Sequence, residues 1–294
     1  MNIWEIFLHS LKDCSLMLPL LFATYLLIEL IERKTALAKS GKFLTGKASP
    51  VLGALAGSIP QCGISVMSAK LFDKGVIGIG TLFSVFIATS DEAITILLAS
   101  DKRVDLIPLL IIKIIIAVFV GVIFNMIFAK KSEKECEDLP HESVCAHCHE
   151  GVEEGKFAWA KMYIGVPLLH CCQTFLYVFV VTFVFGIFFS EHGLVGAEKF
   201  SAYLSTIKYA ESFVTALIGL IPNCASSAII TGAYVNGAIS FGGLVAGLIS
   251  NAGVGLAVIF KNVEETKRNI FILVVLYLLG SLSGLAIVGF SGLI

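Results

Sequence analysis

Long apolar runs divided by short polar stretches set the pattern of this chain. A membrane span needs about 20 apolar residues. Runs of that order occupy roughly 12–32, 50–72, 75–99 and 105–129. Residues 130–156 are polar and acidic, with eight Asp and Glu against four Lys. The order then repeats, at roughly 160–190, 202–235, 238–260 and 269–293. In each half one run carries a helix breaker: Pro60 in the second run, Pro222 in the sixth. Proline lacks an N–H and clashes with the carbonyl one turn back. The pattern predicts an all-α polytopic membrane protein with a first transmembrane repeat over 1–129, a hydrophilic linker over 130–156 and a second repeat over 157–294.

The two breakers sit in copies of one motif. Laid without gaps, 57–82 on 219–244 gives nine identities, including Gly57, Pro60, Cys62, Ser65 and Gly75 against Gly219, Pro222, Cys224, Ser227 and Gly237. Hydrophobic segments interrupted by Gly and Pro at corresponding places in two halves point to a transporter's substrate site.

Charge decides how the broken segments run. Each is either one kinked crossing or a pair of half-helices that dips in and returns. In the dipping reading the N-terminus is outside, and Arg33, Lys34, Lys39, Lys42, Lys47, Lys70, Lys74, the linker lysines, Lys261, Lys267 and Arg268 all fall inside. The positive-inside rule favours it. Each half then crosses an odd number of times. The halves are therefore expected to be inverted repeats, each with a Pro-broken half-helix hairpin, giving about ten membrane helical elements. The linker is expected in the cytoplasm and the chain in a bacterial-type inner membrane.

Composition agrees: 57% of the 294 residues are hydrophobic and 15% charged, against about 25% charged in soluble domains. A net charge of −1 argues against a nucleic-acid partner. The apolar run Cys14–Ile31 is too long for a signal-peptide core and lacks a basic flank, so cleavage is not expected. Homo-oligomerisation is left open.

Breaking a helix in hydrocarbon frees backbone groups that protein, water or substrate must satisfy. Small polar side chains surround both breaks: Gln61, Cys62, Ser65 and Ser68 in one, Asn223, Cys224, Ser226 and Ser227 in the other. The structural alternative is a kink packed on small residues. Asp91 and Glu92 lie within the 75–99 run, and Lys113 within the 105–129 run. Intramembrane charges are costly and mark pairs, relays or ion sites. A structural acid–lysine pair is one reading. The other is a cation or proton site at Asp91 and Glu92, with Lys113 as its charge balance. Ser250-Asn251 stands at the matching place in the second half, so the acids are asymmetric. Glu29, Lys208 and Glu211 fall near span ends and read as interfacial.

The linker carries Cys145, His147, Cys148 and His149, thiolates and imidazoles that suit zinc, copper(I) and other soft cations. Transient metal binding is expected there, and no permanently bound cofactor. The same stretch fits a c-type haem pattern, but the charge argument places it on the wrong side. His170-Cys171-Cys172 could pass metal inward only in part, since consecutive residues point different ways round a helix. Gly41–Ala48 nearly fits a phosphate loop but lacks the Ser/Thr for Mg²⁺ and a preceding strand, so a gradient rather than ATP is expected to drive transport.

At Gly57–Gly63, Ala88–Ala93, Gly219–Ser227, Gly237–Gly242 and Asn251–Gly255 the chain resembles the ten-transmembrane heavy-metal exporter family, also described as manganese transporters and similar to the organoarsenical permeases. The resemblance covers most of the chain and implies a permease rather than an enzyme, exporting manganese, another heavy metal or a trivalent arsenical. Cys62 and Cys224 are then expected to face each other across the pseudo-twofold axis. Pro60 and Pro222 form the breaks, Gln61, Ser65, Asn223, Ser226, Ser227 and Asn251 add oxygen ligands, and Asp91 and Glu92 bind the cation or carry the coupling proton. The alternatives are a permease for a small organic or sulfur-containing solute, a membrane redox subunit and a channel.

Overall fold

The structure, a computed structural model, describes residues 48–73, 75–89, 91–137, 210–262 and 265–291, with Gly46 and scattered positions between 4 and 26 and between 165 and 187. The expected first and fifth spans fall mostly outside these residues, as does the linker beyond Glu137. Among the described residues all regular structure is helical. The first half runs α1 Ser49–Gly57, α2 Cys62–Asp73, α3 Ile79–Ala88, α4 Asp91–Ala99, a 3₁₀ turn Arg103–Asp105, and α5 Leu106–Glu137. The second half runs α6 Glu211–Gly219, α7 Cys224–Val235, α8 Phe241–Ser250, α9 Val254–Phe260 and α10 Thr266–Ser291.

The ends of α2 and α7 are closed by the same bonds. At the end of α2, Gly75 N–H donates to Phe72 O at 2.9 Å and Val76 N–H to Leu71 O at 2.8 Å. At the end of α7, Gly237 N–H donates to Tyr234 O at 3.0 Å and Ala238 N–H to Ala233 O at 2.8 Å. Both glycines are left-handed, at φ +70° and +74°, which is the Schellman way of closing a helix.

One expectation changes. The runs 75–99 and 238–260 read as unbroken spans, yet each is two helices. Thr89 leaves α3 in extended backbone (φ −60°, ψ 131°), and Asn251 leaves α8 the same way (φ −82°, ψ 98°). No proline marks either place. The side-chain oxygens take over there: Thr89 Oγ1 donates to Val85 O at 2.8 Å, and Asn251 Oδ1 accepts from Gly253 N at 2.8 Å. Such local bonds compete with helix continuation.

Within each half the order of packing is the same. α1 lies on α3 and α3 on α5; α6 lies on α8 and α8 on α10. The helix tips approach closely, because a Cβ on Gly57 would stand 2.6 Å from Val85 O and one on Gly219 2.1 Å from Gly247 O. Between halves the packing is reciprocal: α2 lies on α9, and α4 on α7.

Among the described residues four stretches are long and apolar enough to cross a membrane. The two that contain a break, Ile79–Ala99 and Phe241–Phe260, are 62% and 89% buried in protein. The unbroken ones, Arg103–Phe128 and Thr266–Gly289, are 28% buried. Ile107, Ile111, Ile115 and Phe119 of α5 and Val274, Leu278 and Leu282 of α10 are exposed apolar side chains at four-residue spacing. Broken backbone is thus kept inside, where protein satisfies it, and continuous helix faces outward.

Candidate functional site

The proline breaks share one geometry. Gln61 N–H turns back to Ile59 O at 2.7 Å, and Asn223 N–H to Ile221 O at 2.7 Å. Each bond skips over the proline, and a new helix begins at the next residue. Pro60 is exposed and Gln61 half-buried; Pro222 is half-buried and Asn223 buried. Ser226 Oγ donates to Asn223 O at 2.6 Å and to Ile221 O at 3.2 Å, tying the second break to the first turn of α7.

The second pair of breaks differs in detail. Gly253 has φ +56° and ψ −147°, a region essentially restricted to glycine. It lets the chain leave α8 at Asn251 and start α9 at Val254.

Lys113 joins the two. It lies on the inward stripe of α5 with Leu109, Ala117 and Val120, and it is fully buried. Its Nζ donates to Thr89 O at 2.5 Å and to Leu248 O at 2.9 Å. Thr89 closes α3 in the first half, and Leu248 lies in the last turn of α8 in the second. Terminal carbonyls lack helical partners and carry the negative end of the macrodipole. The ammonium therefore satisfies one broken-helix end from each half. The sequence marks Lys113 as misplaced; these two acceptors are main-chain oxygens, which no residue type announces.

The α4–α7 and α2–α9 seams carry the other predicted residues. Glu92, in the first turn of α4, accepts from Ser227 Oγ of α7 through Oε2 at 3.0 Å. Ser65 is buried in α2 and faces the second half's break: its Oγ lies 3.9 Å from the place of a Cβ on Gly253, and its carbonyl 2.7 Å from that of one on Gly255. Ser65 and Ser227 are repeat mates, 162 residues apart, and each faces the break of the opposite half. Asn251 spends its oxygen on Gly253. Asp91 opens α4, and Cys62 and Cys224 open α2 and α7; the side chains of these three lie outside the described residues, as do Cys145, His147, Cys148 and His149. Among the described residues no three His, Cys, Asp or Glu side chains stand together as a metal site. Cys171 is buried against Val66 and Val254, and Cys172 is exposed.

Glu211 opens α6, at the span end expected of it, and its side chain is buried in protein. Its carboxylate accepts from Ser240 N–H at 3.2 Å and from Ser240 Oγ, and Ser240 caps α8 by accepting from Gly243 N–H. A carboxylate is favoured at a helix N-terminus. At the matching place in the first half Ser49 and Thr81 share a hydroxyl bond of 2.7 Å.

The family model described as “Putative, 10TM heavy-metal exporter” matches residues 2–185. The chain belongs to this family. The match takes in the first proline break, Asp91, Glu92, Lys113 and the linker. Residues 186–294 lie past the matched region, and the internal repeat relates their breaks to those inside it. No curated protein and no solved structure matches the chain. The family description and the four apolar helices together describe a multi-pass membrane transporter.

Proposed function

We propose that the chain is a gradient-driven exporter of a metal or metalloid species, working by alternating access between two halves inverted in the membrane. The observation that carries this reading is the contact between Glu92 of the first half and Ser227 of the second, beside broken helices from both. A carboxylate at a broken-helix junction between repeats is the usual composition of a transporter's ion site.

Inversion has support in the course of the long helices. α5 starts where Asp105 meets Tyr234. By Phe124 and Phe128 it has reached Phe271, near the start of α10. α10 departs from that level and by Gly284 and Val288 lies beside Gly242, one residue after Phe241, whose ring meets that of Tyr234. The equivalent helices of the two halves thus run in opposite senses. About 20 residues at 1.5 Å separate the two levels, or about 30 Å, the thickness of a bilayer's hydrocarbon core. On the positive-inside rule the end of α2 faces the cytoplasm, and the membrane is read as a bacterial-type inner membrane.

The substrate reading is double. Glu92 and Ser227 offer hard oxygen, suited to manganese; Cys62 and Cys224, at the starts of α2 and α7, offer thiolates suited to trivalent arsenic or soft metals. Efflux from loaded cells separates the two. Glu92→Gln should lower manganese efflux tenfold or more, because a charge-assisted contact is worth about 1.5–3 kcal/mol. Cys62→Ser with Cys224→Ser should abolish resistance to a trivalent arsenical and leave manganese efflux nearly intact. Wild-type behaviour of both variants for every metal and metalloid tried overturns the proposal in favour of an organic or sulfur-containing solute.

A further inference from the structure

Two clusters of charged and aromatic side chains join the halves away from the breaks, and the site above uses neither. At the end of α7, Tyr234 Oη donates to Asp105 Oδ2 at 2.6 Å. Lys102 Nζ donates to Tyr234 O at 2.8 Å and stands 4.1 Å from the centre of its ring. At the end of α2, Arg268 Nη2 donates to Asp73 Oδ1 at 2.5 Å, and its guanidinium carbon stands 4.8 Å from the centre of the Phe72 ring.

The clusters occupy matching places in the two halves. Phe72 and Tyr234 are 162 residues apart. Asp105 and Arg268 are 163 apart, as are Lys102 and Glu265 and the glycines Gly121 and Gly284, which make the same contacts with Gly80 and Gly242. The aromatic ring is kept in both and Arg268 stands where Asp105 does with the opposite charge, while Val235 stands at the place of Asp73. Each cluster clamps the last turn of a half-helix that begins at a Pro-x-Cys break to the start of the long helix of the other half. Arg268 and Asp73 side chains are 26% and 20% exposed. Water-accessible ion pairs and cation–π contacts are individually weak, so such a clamp can open and re-form.

We propose that the two clusters are the gates of the transport cycle, a reading that rests on the alternating-access function above. α2 and α7 each have a proline break at one end and a clasp at the other. Releasing a clasp frees that half-helix to swing about its break, and so opens the seam it covers. The clasps sit near opposite ends of α5, one to each membrane face; the lysine distribution puts Asp73–Arg268 inside and Lys102–Tyr234–Asp105 outside. Both are engaged in the structure, so the seams are held at both faces. Because alternating access opens one face at a time, opening one clasp favours the closed state of the other.

Amide hydrogen exchange on the full-length protein in lipid nanodiscs, without substrate, tests this. Tyr234→Phe with Lys102→Met loosens the outer clasp; Asp73→Asn with Arg268→Gln loosens the inner one. The outer variant is expected to raise exchange about fivefold over 230–236 and 100–106, the population change from losing a contact of about 1 kcal/mol, and to lower it over 69–76 and 262–269. The inner variant should do the reverse. Tyr234→Phe alone, which deletes one hydroxyl, should give the outer pattern at smaller size in a protein sure to fold. Faster exchange at both ends, or at the altered end with the far end unchanged, overturns the proposal: the clasps are then staples. The readout needs no substrate. Reciprocal exchange in a protein that exports no metal would sink the substrate reading alone, and metal efflux without reciprocity would sink the gates alone.

Discussion

Replacing Lys113 with Met tests what holds the interior together. Met nearly conserves the volume, so cavity and overpacking terms stay small. The change removes the charge-assisted bonds to Thr89 O and Leu248 O. At about 1.5–3 kcal/mol each, that is a loss of about 3–6 kcal/mol. Against it stands the relief of no longer holding an ammonium in a dry interior, a penalty of several kcal/mol. The acceptors tip the balance. Both carbonyls lie at helix ends in a fully buried region and have no helical donor to fall back on, and orphaned carbonyls in such surroundings cost several kcal/mol. The expected outcome is a net destabilisation of about 3 kcal/mol by equilibrium unfolding in mixed micelles, with faster amide exchange confined at first to 86–92 and 246–254. Ile112→Met, one residue away, should stay within about 1.5 kcal/mol of wild type. If Lys113→Met equals or exceeds wild-type stability, with unchanged exchange at both junctions, the carbonyls find other donors and Lys113 is not the tie between the halves.

Gly253→Ala should cost about 1–3 kcal/mol by the same unfolding assay, purely through its backbone conformation, because the new methyl meets nothing nearer than Ser65 Oγ at 3.9 Å. Gly232→Ala, inside α7 with nothing within 4 Å, should instead stabilise by about 0.5–1 kcal/mol. Glu211→Ala should cost about 1 kcal/mol or more by stranding the donors at the start of α8, read as faster exchange over 240–244. Gly57→Ala would place a methyl 2.6 Å from Val85 O, a backbone atom that cannot yield, and should lower the yield of folded protein in the membrane.

The chain declares some of this and hides the rest. Pro60 and Pro222 announce their breaks because proline cannot carry a helical bond. Ser65 and Ser227 are legible as repeat mates, and their crossed placement follows once the halves interlock. The breaks at Thr89 and Asn251 are not announced: Thr, Ser and Asn in an apolar run read as polar content of a helix. Glu211 reads as a span-end residue, and only the fold shows the α8 N-terminus beside its carboxylate. The clasps escape a search for repeats because Asp105 is matched by Arg268 and Asp73 by Val235. What was expected of Cys62, Cys224 and Asp91 as side chains, and of the linker's Cys and His, falls outside the described residues.

The crossed packing of α2 on α9 and of α4 on α7 has a consequence for how such a chain is assembled. Among the described residues each half offers two helices that pack across onto the other half, as two subunits of an exchanged dimer would. The connecting segment then contributes mainly effective concentration. Two fragments cut between Glu137 and Lys156 and made in the same membrane should find each other and rebuild the ties from Lys113 to Leu248 and from Glu92 to Ser227, whereas either fragment alone should be cleared by the cell's proteases.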